Sequence, residues 1–154
     1  MGILMKSFFL FVFFLTVSYS QPHTFLVKKY DKEIELESKI IGQIAHSSVQ
    51  KDVVLYIPKM TEMERKIYSK IFTLGKNCEE SNFIFVKKNI DKSLCNSKEK
   101  LFFTNNYKKL LSNKKYYGAF FWSKSRPNIV FIKDRLAKHH IALPKAYTQF
   151  IEDL

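Results

Sequence analysis

Five short runs of the chain are almost wholly apolar, and the segments between them carry apolar residues at helical spacing. Val53-Val54-Leu55-Tyr56-Ile57 ends at Pro58, and Phe83-Ile84-Phe85-Val86 follows downstream. Neither run alternates, so each predicts a strand covered on both faces, as in a parallel sheet. Between them, Thr61 and Glu64 have the spacing of a capping box, and Met63, Ile67, Ile71 and Leu74 supply a buried stripe before Gly75. Strand, helix and strand make a βαβ unit, for which a right-handed crossover is expected. Upstream, residues 31–48 predict a helix with Leu36, Ile40 and Ile44 on one line and Ile41 and Ala45 beside it. Glu33, Glu35 and Glu37 in its first turns would complement the helix dipole.

Residues 88–100 are polar, contain Cys95 and predict a loop. Leu101-Phe102-Phe103 is a third strand, leading through the cap Asn105-Asn106 into a short helix with Tyr107, Leu110 and Leu111. Tyr116 to Trp122 and Ile129 to Ile132 are two further strands. Ser123-Lys124-Ser125-Arg126-Pro127 between them is short enough for a hairpin, with Pro127 confined to a strand start or edge. Leu136 and His140 mark one brief turn of helix. Pro144 suits the first position of a last helix, with Tyr147, Phe150, Ile151 and Leu154 as its apolar face. The expectation is an α/β fold: a single three-layer domain over residues 21–154. Its mixed sheet would have about five strands, a βαβ core, a C-terminal hairpin and a terminal helix.

The first twenty residues change the picture of where this domain works. Lys6 precedes the apolar run from Ser7 to Val17, and Ser18-Tyr19-Ser20 stand before Gln21. A positive start, a short apolar stretch and small residues at the −3 and −1 positions make a signal peptide over residues 1–20. A membrane anchor needs roughly twenty apolar residues, which this run does not reach. The expected location is the periplasm.

Without residues 1–20, the chain has 25 basic and 14 acidic side chains and a net charge of +11. Basic chains invite a nucleic-acid reading. Here the lysines are spread out (Lys28, Lys39, Lys51, Lys76, Lys108, Lys114), and export removes the chain from cellular nucleic acid, so no nucleic-acid partner is expected. An anionic membrane face or an acidic partner fits such a surface. Cys78 and Cys95 are the two cysteines. In an oxidising compartment they are expected to pair, and closing a loop of this size contributes about 3 kcal/mol.

Candidate chemistry is sparse. No P-loop, dinucleotide fingerprint, GxSxG elbow or HExxH occurs. His139-His140 point about 100° apart on a helix and lack a nearby Cys or acidic pair at ligand spacing. His23 would be third in the processed chain, but Pro22 has no amide proton to give an N-terminal copper site. The acids at 31–37, 62–64 and 79–80 are accounted for by helix starts and exposed faces. No enzyme activity, metal or cofactor is therefore expected. One segment exceeds the needs of a core: Tyr116 to Trp122 with the turn that follows. Alternation puts half of its aromatic side chains on each sheet face, so one set needs a covering helix or a partner. Trp122, Lys124 and Arg126 near its tip have the composition of interface anchors and are the candidate partner-binding residues.

From Gly118 to Leu154 the chain resembles the YfiR-like periplasmic proteins. The shared features are a glycine opening an aromatic strand, a short basic turn and the apolar strand Asn128-Ile129-Val130-Phe131-Ile132. Leu136 and Ile141-Ala142-Leu143 follow before a final helix. Val53–Pro58 and the strand after Cys78 are also similar. The chain departs from the family at Lys133-Asp134, where asparagine usually follows the last strand, and in having one cysteine pair. The resemblance implies a non-enzymatic regulator that binds the periplasmic part of an inner-membrane sensor or diguanylate cyclase-type protein. The alternative is a periplasmic solute-binding or transport-accessory protein. Homodimerisation stays open.

The exported protein is expected to begin at Gln21, with or without cyclisation of that glutamine. Intact-mass measurement checks this, and a mass that retains residues 1–20 would refute it.

Overall fold

A computed structural model of the chain describes residues 23–88, 95 and 99–154. The expected signal peptide at residues 1–20 and most of the loop expected at 88–100 lie outside the described residues. The chain divides into two units, residues 1–33 and 34–154. Of the first, only the opening turns of helix α1 (His23–Ser48) are described.

Helix α1 starts at His23 rather than at residue 31, so Glu33, Glu35 and Glu37 do not lie in its first turn, which holds no acid. Its inward face is also rotated from the expected line. Ile34, Glu37, Ser38, Ile41, Ile44 and Ala45 are buried, whereas Leu36 is 41% exposed and Ile40 half-buried. Helix α2 (Glu62–Tyr68) has the expected capping box, in which Thr61 Oγ1 accepts from the Glu64 amide and the Glu64 side chain accepts from the Thr61 amide. It ends before Ile71. Its buried residues are Glu64, Ile67 and Tyr68, so of the expected stripe Met63, Ile67, Ile71 and Leu74 only Ile67 is buried. Buried carboxylates thus take part of the inward face on both helices, while Ile41, Ile44, Ala45 and Ile67 of the expected stripes stay buried.

Seven described strands form one mixed sheet in the order β2-β1-β3-β4-β5-β6-β7. They are β1 (Val54–Tyr56), β2 (Thr73–Leu74), β3 (Phe83–Val86), β4 (Leu101–Thr104), β5 (Tyr116–Ser123), β6 (Arg126–Ile132) and β7 (Ile151–Glu152). Strands β1 to β5 are parallel, β6 is antiparallel to β5, and β7 is parallel to β6. The α/β class stands, with two more strands than expected. Both additions, β2 and β7, are two-residue strands at the sheet edges, too short to template pairing with another chain.

All four residues of β3 and of β4 are buried, because elements cover both faces of the sheet. On one face Leu55, Phe83, Phe85, Phe103, Tyr117 and Phe131 meet α1 and α2. On the other, Ile84, Phe102, Ala119 and Val130 meet Leu110 of α3 (Tyr107–Ser112) and the Cys78–Cys95 disulfide. The two cysteines lie 17 residues apart in sequence with their Cα atoms 5.7 Å apart. Asn106 caps α3 by accepting from the Lys109 amide. Two lysines fasten the disulfide region. Lys100 Nζ donates to the carbonyls of Cys78, Glu79 and Ser81, and Lys115 Nζ donates to the carbonyl of Cys95 while lying 3.7 Å from the Phe102 ring centre.

The C-terminus departs from the expected helix. After α4 (Lys133–Lys138), residues Lys145–Phe150 form a 3₁₀ helix and the chain then enters β7. Tyr147 sets its ring edge-on to Phe131 at 5.6 Å, and Ile151 pairs beside the same residue. Pairing with the outer edge of β6 satisfies backbone groups that a continued helix would leave open there.

A bulge separates the two ends of β5. Phe102 lies opposite Tyr116 but Phe103 lies opposite Gly118, so Tyr117 is the extra residue. Phe103 and Phe131 crowd the next position. A Cβ on Gly118 would run into the Phe103 ring and come within 2.9 Å of Phe131 Cδ1 and of the Val130 carbonyl oxygen. The requirement is for space, on two sides at once. Gly118→Ala is expected to lower the free energy of unfolding by about 1–3 kcal/mol, as overpacking does, and urea titration measures it.

Candidate functional site

The β5–β6 hairpin carries the residues singled out by the sequence. Strand β4 ends at Thr104, beside Ala119, while β5 continues through Ser123. At about 3.3 Å per residue, the tip therefore stands roughly 13 Å past the end of β4. Ser123 pairs with Arg126, leaving a two-residue turn of Lys124 and Ser125 with φ of 49° and 60°. That is the type I′ pattern, whose right-handed twist suits a hairpin but which strongly favours Asn-Gly. Lysine and serine bear a Cβ there, and left-handed backbone costs an L-residue roughly 1–2 kcal/mol. The next pair inward, Trp122 with Pro127, is a position without ladder hydrogen bonds, so the missing proline amide leaves nothing unpaired.

Packing absorbs the aromatic excess on both faces. Phe120 is fully buried, and Trp122 sets its ring edge-on to it at 5.8 Å while remaining half-buried. On the opposite face Phe121 lies 5.6 Å from Tyr107 of α3. Lys124, Ser125, Arg126 and Pro127 are exposed. Of the three candidate residues, Trp122 is thus partly core, and Lys124 and Arg126 form the free tip.

A second constellation was missed. Lys87, directly after β3, donates from Nζ to Glu37 Oε1 of α1 and to Glu64 Oε1 of α2, each at 2.6 Å. Tyr68 OH donates to Glu37 Oε1 at 2.7 Å, and Glu64 Oε2 accepts from the Thr61 amide and hydroxyl at 2.7 and 2.9 Å. Glu37 and Glu64, expected on exposed or helix-start positions, are each only 5% exposed. Burial alone would raise the Glu64 carboxyl, but hydrogen bonds and charge from Lys87 and Thr61 outweigh it and hold it below the ordinary carboxylate range. Burial alone would lower the Lys87 ammonium, but the two glutamates outweigh it and raise it. Burial, and then the charge of Glu37, keep the Tyr68 hydroxyl protonated. The signal in the sequence was a lysine closing a wholly apolar strand. The cluster sits at the carboxyl ends of β1 and β3, where the strand order reverses and where doubly wound sheets place ligand sites. Here side chains of the protein fill that place.

At the opposite end of the strands is a cleft of about 530 Å³, lined among others by Ser48, Lys51, Asn82, Lys100, His139 and His140. Much of its polar lining is committed. Asn82 bonds Asp52 and Val54, Lys100 bonds three carbonyls, and Ser48 donates to the Ile44 carbonyl and accepts from Tyr117. His140 has a φ of 53° and closes α4: its amide donates to Ala137, and the Ile141 amide donates to Leu136. Burial, with Lys138 and His140 adding to it, lowers the His139 pKa. Among the described residues, no three His, Cys, Asp or Glu side chains are grouped to hold a metal, and no helix is long and apolar enough to cross a membrane. Comparison with protein-family models, curated proteins and solved structures finds no match in any of the three.

Lys87→Met leaves two buried carboxylates without their cation and is expected to cost about 3–5 kcal/mol at neutral pH. The pH dependence has a definite sign. The lowered Glu64 pKa contributes stability above the ordinary carboxylate range that is lost as pH falls through the folded value. The raised Lys87 pKa contributes stability below the ordinary lysine range that is lost as pH rises through the folded value. The deficit of the variant should therefore narrow in acid, where a protonated Glu64 no longer needs the lysine. Urea titrations at neutral and acidic pH check both the loss and its narrowing.

Proposed function

We propose that this protein is an exported, non-enzymatic binding module that acts through the β5–β6 hairpin on the periplasmic part of an inner-membrane signalling protein. The observation that carries this reading is the tip itself. It is a two-residue turn of Lys124 and Ser125, in a backbone conformation unfavourable to both, flanked by Arg126 and held out beyond β4. Strain kept at an exposed turn is a reason to ask what the side chains there are for. Trp122 at its base supplies a large, partly buried aromatic surface of the kind that anchors interfaces. The partner class comes from the YfiR-like resemblance over residues 118–154.

The alternative, a solute-binding or transport-accessory role, would use the cleft near His139 and Lys51. It stands second because the residues that line the cleft mostly hold backbone and helix ends together.

The test is the double charge reversal Lys124→Glu with Arg126→Glu in the processed protein. Both positions are exposed, so stability should move by less than about 0.5 kcal/mol. Capture of a partner from detergent-solubilised inner membranes should be lost. Unchanged capture by the folded variant would reduce the tip to a turn.

A further inference from the structure

We infer that the carboxyl edge of the sheet, from Lys59 through Lys88 to Lys124 and Arg126, docks an extended acidic segment of a partner protein. This rests on the binding role of the hairpin and names the chemistry it recognises. Each of the parallel strands β1, β3 and β5 runs into lysine as it leaves the sheet: Lys59 after β1, Lys88 after β3 and Lys124 after β5. The register aligns them along one edge, with Tyr56 beside Ile84, Val86 beside Thr104 and Thr104 beside Ala119. At about 4.8 Å per strand the edge spans roughly 14 Å from β1 to β5, before the hairpin adds its projection. All four cations are exposed, and among the described residues none has a side-chain hydrogen bond or an ion pair.

Backbone conformation supplies an independent observation. Four non-glycine residues among those described have positive φ: Lys59, Lys124, Ser125 and His140. His140 closes α4. The other three lie on this edge. Lys59 follows Pro58 in a turn with a φ of 56°, a position of the type II pattern that favours glycine. The chain thus carries lysine at two turns where glycine or asparagine fits the backbone better. Replacing them should make the protein more stable, so stability alone does not account for them.

The line of charges selects the occupant. By the register Lys59 and Lys88 stand back from Lys124 by about three to four residues of strand, roughly 10–13 Å, at or just beyond the Debye length of about 8–10 Å at moderate salt. A flat anionic bilayer resting on Lys124 and Arg126 would therefore attract the other two only weakly. A single small anion would reach only one of them. An extended peptide with several acids can follow the edge and lie against the hairpin at once.

The probe is a synthetic hexaglutamate peptide, titrated into the processed protein at low and moderate salt, with phosphatidylglycerol vesicles in parallel. Lys59→Gly, Lys88→Gln and Lys124→Asn are compared with the unaltered protein. The expected result is salt-dependent peptide binding, weakened about 3- to 10-fold by each substitution. Lys59→Gly and Lys124→Asn should at the same time raise the denaturation midpoint. Peptide binding indifferent to Lys59→Gly and Lys88→Gln would overturn the inference, as would vesicle binding without peptide binding. Membrane-partner capture that survives those two substitutions but not the tip reversal would keep the hairpin reading and discard the extended edge. Capture that survives the tip reversal as well would discard both.

Discussion

The ammonium of Lys87 is where the sheet meets both helices of its first face. Burying a lysine and two glutamates is costly unless each is paired and hydrogen-bonded, and here the geometry supplies both. Tyr68 takes up further acceptor capacity on Glu37, and Thr61 takes up that on Glu64. Because both carboxylates must point inward, α1 and α2 are rotated about their axes to suit them. Ile41, Ile44, Ala45 and Ile67 then fall onto the sheet, while Leu36 and Met63 turn outward. An all-apolar interface would allow several such rotations with similar burial. One ammonium between two carboxylates singles out one of them.

That rotation explains which parts of the fold were legible. The strands read correctly because parallel strands covered on both faces need apolar residues at every position, and Phe83–Val86 and Leu101–Thr104 supply them. The caps at Thr61 and Asn106 read correctly because they are local chemistry. The inward faces of the helices read only in part: Ile41, Ile44, Ala45 and Ile67 are buried as expected, but a rule that sends glutamate outward fails where a distant lysine waits for it. Thr73–Leu74 and Ile151–Glu152 were invisible for another reason: two residues have no period, and their strand character comes from the neighbours they pair with. At the candidate site, the place of Lys124 and Arg126 in a hairpin turn was legible from the short polar run before Pro127, but Trp122 could not be assigned to core or surface until the burial of Phe120 and the Tyr107–Phe121 contact were known.

The structure also sorts the positive charge, which in the sequence reads as an even scatter of lysines. Part of it is structural. Lys87 bridges carboxylates, Lys100 and Lys115 hold carbonyls around the disulfide, and Arg135 donates to the carbonyls of Leu110, Asn113 and Tyr116 at the end of α3. These cations satisfy acceptors that the short elements leave open. They are unavailable to a partner. Their commitment leaves the lysines at the strand ends among those that no side-chain hydrogen bond or ion pair of the described fold uses.

A binding surface works best when little of it must be ordered on contact. The hairpin meets that condition through its two faces. Trp122 leans on Phe120 within one core, and Phe121 leans on Tyr107, whose hydroxyl donates to Glu152 in β7. The arm is therefore tied to α3 and, through it, to the edge strand β7 that pairs with β6. The bulge at Tyr117 contributes as well, since one extra residue bends β5 near its start, beside the middle of β4, and increases its twist. Gly118 is what lets Phe103 and Phe131 close around that bend. The position of Lys124 and Arg126 thus follows from packing at the centre of the sheet, so that the exposed tip inherits the rigidity of the core beneath it.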